Sequence, residues 1–209
     1  MKTGEYVIEE YLKELSSKAP APGGGGAAAL AGALGVSLAQ MVCSLTLGKR
    51  RYARYEEDVR AASDEAERLR RVFLELADSD AEAFLPLSAA YSMPRSTEDE
   101  KAAREIVMQA ALKAAAGVPL LVLERCCEAV PLFEELLEKG SALAVSDVGV
   151  GALLVGAAAE SACLNVKINT GLMRDEALKD DMNSRAAALA EAVRQKTEAV
   201  RRGVNDKVG

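Results

Sequence analysis

An all-α helical bundle, with two buried helices rich in alanine and glycine, is the fold class this sequence predicts. Three observations predict it. Alanine is abundant while proline occurs only 6 times in 209 residues, alternating β-branched runs are nearly absent, and apolar residues recur at every third or fourth position. No repeat, linker or composition shift divides the chain, so residues 1–209 read as one domain.

The elements follow in order. Gly4 to Ser17 is amphipathic and acidic, a first helix without the basic-then-apolar pattern of a signal peptide. Two prolines and four glycines between Lys18 and Gly26 break it, and a second helix runs to about Leu47. Gly26 to Gly48 is uncharged, which raises the question of a membrane span. Ten of these 23 residues are Ala or Gly, and Ser37, Gln40, Ser44 and Thr46 dilute the rest, so a helix buried all round in a soluble bundle is expected.

After the basic turn Gly48 to Tyr52, a third helix spans about Arg54 to Ala90. Its apolar positions Leu69, Phe73, Leu76, Phe84, Leu87 and Tyr91 step by three and four except for one gap of eight, and Asp80 falls in that gap. Pro94 ends the pattern. Thr97 and Glu100 form a capping box that starts a helical region reaching Lys139, with kinks or breaks expected at Pro119 and Pro131. Gly140 is a stop, Ser146 and Asp147 are cap residues for a second small-residue helix from Val148 to Asn169, and a charged last helix runs from Asp175 to Val204. Two nearly apolar helices need more cover than one chain of this size supplies. A homodimer is therefore expected, the alternative being a monomer with both helices central.

Composition narrows the chemistry. The chain has no histidine and no tryptophan, which removes Ser-His and Cys-His nucleophile pairs, imidazole proton shuttles and His-containing metal centres. Catalysis, if present, falls to carboxylates, lysine, tyrosine, cysteine or backbone groups. A net charge of −6 and only 4% aromatic residues argue against nucleic-acid binding. Cys43, Cys126, Cys127 and Cys163 lie in apolar helical stretches without CxxC spacing, as small buried hydrophobes in a reduced cytoplasmic protein.

Phosphate-binding motifs fail on inspection. Gly48-Lys49 is followed by Arg50 in place of Ser or Thr, and the run Gly23 to Gly26 follows a helix and a Pro-Ala-Pro turn in place of a strand. What remains is a glycine-rich helix entry whose exposed amides suit either a flat or anionic ligand or close helix packing. Asp80 sits on a core stripe, where an ionised carboxylate is costly unless paired. It is either a general base with a raised pKa or one half of a structural ion pair. Lys49, Arg50 and Arg51 either hold a polyanionic tail or line a solvated helix end, Asp147 is most simply a cap, and Asn165 and Asn169, one turn apart, bond either another helix or a ligand.

The segments Pro22 to Ala29, Met41 to Tyr52, Asp80 to Phe84, Met93 to Thr97, Ser146-Asp147 and Leu164 to Asn169 together resemble the cyclodeaminase/cyclohydrolase family, in order and over essentially the whole chain. That family comprises the formiminotransferase-cyclodeaminase C-terminal domain and the stand-alone bacterial methenyltetrahydrofolate cyclohydrolases. The resemblance implies an all-helical homodimer acting on a one-carbon-substituted tetrahydrofolate, with no metal or cofactor. Asp80 then stands at the family's proton acceptor. Gly23, Gly24, Gly25 and Gly26 would admit the flat pterin, Lys49 and Arg50 would meet the glutamate tail, and Asp147 and Asn165 would bond the pterin edge. The GGGG form and Cys43 to Lys49 look more like the cyclohydrolases, which hydrolyse 5,10-methenyl- to 10-formyltetrahydrofolate. The alternatives are ammonia-releasing cyclisation of formimidoyltetrahydrofolate and, outside enzymes, a helical dimerisation module. Neither a nucleic-acid nor a membrane partner is expected.

Overall fold

Six α-helices make up the architecture of the computed structural model, which describes residues 2–209; among these residues there is no strand. They are α1 (Ile8–Leu15), α2 (Gly24–Thr46), α3 (Glu56–Tyr91), α4 (Glu98–Lys139), α5 (Val145–Thr170) and α6 (Glu176–Val208), with 3-10 turns at Thr3–Glu5, Arg50–Tyr55 and Ala142–Ala144. The first helix is shorter than its periodicity suggests, because residues 3–5 form a separate turn.

The two small-residue helices pack against each other. A Cβ on Gly35 of α2 would come within 2.8 Å of the Gly151 carbonyl and 2.7 Å of Val155 Cγ2 in α5, so only glycine lets the backbones approach this closely. Small residues also make room for rings. The Phe73 ring of α3 fills the space beside Gly32, and the Phe133 ring of α4 fills that beside Gly151. Leu69, Leu112, Leu123 and Leu136, all fully buried, complete a core in which α3 flanks α2 and α4 and α6 flank α5.

Terminal chemistry fixes the helix ends. Thr97 accepts the Glu100 amide at 3.2 Å while the Glu100 carboxylate accepts the Thr97 amide at 3.0 Å, the reciprocal box read from the sequence. Asp175 caps α6 by accepting the Leu178 amide at 3.0 Å. Gly48, at φ +73°, takes the left-handed turn that leads out of α2. Two expectations fail. Of the kinks or breaks expected at Pro119 and Pro131, the breaks are what fail: α4 is one helix of 42 residues, because packing on α3, α5 and α6 holds it through the missing hydrogen bonds. Asp147 is not a cap: α5 starts at Val145 after a 3-10 turn, which puts Asp147 inside its first turn, where the helix dipole favours an acid.

Helices α2 and α4 and the segment Ala142–Thr170 contain stretches long and apolar enough to cross a membrane, and about half of each stretch is buried within the protein. Burial pushes the Cys43 thiol up to about 12 and also raises Cys126, as expected of cysteines that act as apolar filler.

Candidate functional site

The site is built where the glycine-rich start of α2 meets the middle of α3. The Gly26 amide, one of the donors a helix start leaves free, donates to Asp80 Oδ2 at 2.8 Å. Gly25 lies so close to the same carboxylate that any Cβ there would overlap it. Asp80 is half-buried, and burial raises its pKa above the usual carboxylate value, with the Gly26 hydrogen bond pulling the other way. No lysine or arginine among the described residues forms an ion pair with Asp80, so the ion-pair reading finds no partner there.

Asp80 faces a cavity of about 580 Å³ between α2, α3 and the end of α5. Gly23, Gly24 and Gly25 form one wall, Phe84, Leu87 and Tyr91 a second, and Asn165, Lys167, Ile168 and Asn169 a third. Gly26 stands behind the carboxylate and takes part through its amide. Asn165 donates to the Ser161 carbonyl of its own helix at 2.8 Å and keeps its oxygen beside Gly24.

Asn169 is held by an arrangement the sequence reading left open. Its Nδ2 donates at 2.9 Å to the carbonyl of Ala115, which also lines the cavity. In a regular helix that carbonyl would bond the amide of residue 119, but Pro119 has none. The proline thus frees an acceptor that fastens α5 to α4 at the cavity wall.

Lys49, Arg50 and Asp147 are not part of this cluster. Asp147 is eighteen residues from Asn165 on the same helix, roughly 27 Å along its axis. Lys49 and Arg50 follow the far end of α2 and are exposed. Helices α2 and α5 run antiparallel, so all three residues share the opposite end of the pair, where Thr46 accepts the Ser141 amide at 2.8 Å.

Two features escaped the sequence reading. Lys167 supplies a cation to the cavity lining. Tyr11, the only buried residue of α1, has a hydroxyl with no hydrogen-bond partner among the described residues; it reaches the neighbourhood of Gly26, and burial first and the Asp80 charge second raise its pKa. An acidic first helix gave no sign that one of its tyrosines would turn inward. Among the described residues no group of three or more Cys, Asp or Glu side chains is spaced to hold a metal ion.

A half-buried carboxylate, held by one amide and open to a cavity, can take a proton from water or stabilise an adjacent cation. Comparison with known proteins bears on which reaction uses it. The formiminotransferase-cyclodeaminase family model matches residues 7–188. The methenyltetrahydrofolate cyclohydrolase of Methylorubrum extorquens is 42% identical over 190 residues, covering 90% of this chain and 91% of that protein. The formimidoyltransferase-cyclodeaminase of Rattus norvegicus is 30% identical over 92% of this chain, which spans only 35% of the rat enzyme. The crystal structure of formiminotetrahydrofolate cyclodeaminase from Thermotoga maritima superposes with a TM-score of 0.87 at 27% identity, covering 99% of both chains.

Proposed function

The chain belongs to the formiminotransferase-cyclodeaminase family, and on that premise we propose that it is a methenyltetrahydrofolate cyclohydrolase, converting 5,10-methenyltetrahydrofolate and water to 10-formyltetrahydrofolate. The observation that carries this reading is the Asp80 carboxylate, open to a cavity and without an ion-pair partner among the described residues, in a chain 42% identical to a cyclohydrolase across nearly the full length of both.

The substrate is a cyclic amidinium. Its positive charge draws it to a carboxylate that no described side chain pairs with, and the same carboxylate accepts a proton as water oxygen attacks the bridging carbon. The tetrahedral carbinolamine then breaks its bond to one ring nitrogen, which takes up one of the two protons that water brought; the hydroxyl proton leaves as the carbonyl forms, the formyl group stays on the other nitrogen, and one proton is released overall. The Gly26 amide orients Asp80 through Oδ2 and leaves Oδ1 as the acceptor. Gly23, Gly24 and Gly25 admit the flat pterin against the backbone, and Asn165 bonds its edge.

On this reading the enzyme works in the cytoplasm as a homodimer, without metal or cofactor, and meets neither nucleic acid nor membrane. The second reading is formimidoyltetrahydrofolate cyclodeaminase, favoured by the close structural likeness to the Thermotoga maritima enzyme. One assay with both substrates decides. Loss of methenyl absorbance faster than the buffer reaction is the expected result, and ammonia release from the formimidoyl substrate with no such acceleration would reverse the assignment.

A further inference from the structure

A buried hydroxyl stands behind the Asp80 carboxylate with no partner among the described residues. Tyr11 is 5% exposed, and nothing bonds its Oη. Buried polar groups are nearly always hydrogen-bonded, to protein or to an ordered water, so this oxygen calls for a partner.

Its surroundings say which. A Cβ built on Gly26 would stand 3.5 Å from the Ala77 carbonyl oxygen, 3.9 Å from Asp80 Oδ2 and 3.9 Å from Tyr11 Oη, and nothing outside its own turn of helix comes nearer. One small group seated just beyond that point would touch all three oxygens. Their chemistry matches a water molecule. The carbonyl and the carboxylate accept, which uses both of its hydrogens, and the hydroxyl donates, which uses one lone pair. Three bonds are what a buried water typically makes. Burial and the Asp80 charge both raise the Tyr11 pKa, so the hydroxyl stays protonated and serves as the donor.

We propose that Tyr11 is a positioning residue for Asp80, acting through one water held between Tyr11 Oη, the Ala77 carbonyl and Asp80 Oδ2. That water and the Gly26 amide put two donors on Oδ2, which fixes the carboxylate, favours its ionised form and leaves Oδ1 for the reacting water. The catalytic part of this role rests on the cyclohydrolase reading, whereas the effect on Asp80 needs no substrate.

The charged groups around the pair are otherwise engaged or more distant. Asp78 accepts the Thr3 amide at 2.6 Å and Glu14 accepts the Tyr6 hydroxyl at 2.5 Å. Lys2, Glu5 and Glu82 line a second cavity on the α1 side, Tyr91 of α3 and Lys167 of α5 line the Asp80 cavity, and α2 brings no charge. Among the described residues only the Gly26 amide donates to Asp80.

Two substitutions reach the water from opposite sides. Tyr11→Phe removes the donor and keeps the ring. Gly26→Ala puts a methyl where the water would stand, at ordinary contact distances from all three oxygens, and keeps both the Gly26 amide and Tyr11. The Asp80 midpoint can be read without substrate by carboxyl 13C NMR of aspartate-labelled protein, assigned with Asp80→Asn. In each variant it is expected to rise by about half to one pH unit. In each, kcat is expected to fall about threefold to tenfold while KM changes by less than about twofold. The double variant is expected to match the worse single one, because both act through one water. A Tyr11→Phe midpoint equal to that of the wild type, or single effects that add in the double variant, would overturn the proposal. So would a Tyr11→Phe protein more heat-stable than the wild type at neutral pH, the result expected of a hydroxyl merely left unpaired. A wild type inactive on methenyltetrahydrofolate with the midpoint shift intact counts against the functional reading alone, because the titration needs no substrate.

Discussion

Gly25 has no side chain because the Asp80 carboxylate occupies the space a Cβ would take. Alanine suits a helix better than glycine by about 1 kcal/mol, so on propensity alone Gly25→Ala should stabilise α2. The expected outcome is the reverse for activity: the displaced carboxylate loses its place, and kcat/KM falls by about 10²-fold, the effect of an ångström of misplacement. Steady-state kinetics beside circular dichroism reads this out, and a variant with wild-type kcat/KM would show that Asp80 need not stand where it does.

Asp80→Asn keeps the shape of the side chain and an acceptor for the Gly26 amide while removing the base. A fall in kcat of about 10² to 10⁴-fold is expected, the span general-base catalysis contributes. Turnover near the wild-type value would leave Asp80 a structural role only.

Burial raises the Asp80 pKa, and the sign of the effect on stability follows. In the unfolded chain the carboxyl titrates at about 3.9, below its folded value, so between the two the folded state binds more protons. Stability is lost as pH rises through that window, and the full penalty persists above the folded pKa. Asp80→Asn should therefore be more stable than the wild type at neutral pH, by a margin that shrinks toward acid. Denaturation midpoints of both proteins at matched concentration, from about pH 4 to 8, test this; a margin that does not change with pH would contradict it. The acid limb of the wild-type kcat/KM profile should be displaced upward from the ordinary aspartate value for the same reason.

At the other end of the molecule, Thr46 is 1% exposed; its Oγ1 donates to the Val42 carbonyl and accepts the Ser141 amide at 2.8 Å. Thr46→Val conserves volume and leaves a buried amide unpaired. A loss of about 1–3 kcal/mol is expected, seen as a Tm lower by roughly 2–12 °C. An unchanged Tm would mean that water or a backbone shift satisfies Ser141.

Much of this was legible in the sequence because it is local. The capping box of Thr97 and Glu100, the Asp175 cap and the small-residue helices are written in residues a few positions apart. Asp80 was legible as a polar residue in a periodic apolar stripe. Lys49, Arg50 and Asp147 were singled out as ligands of one site, yet they stand at the far end of the helix pair, since helix direction is set by packing that no local pattern records. The break expected at Pro119 is absent for a related reason: the cost of a proline in a helix is local, while the packing that outweighs it is not.

That same proline sets two demands on the enzyme against each other. Replacing Pro119 with alanine would restore a rung of α4, worth up to about 3 kcal/mol in helix propensity, and would draw the Ala115 carbonyl back into its own helix. Asn169 would then lose its anchor on the cavity wall. A selection for heat resistance alone would be drawn to Pro119→Ala, and a selection for growth on turnover would purge it.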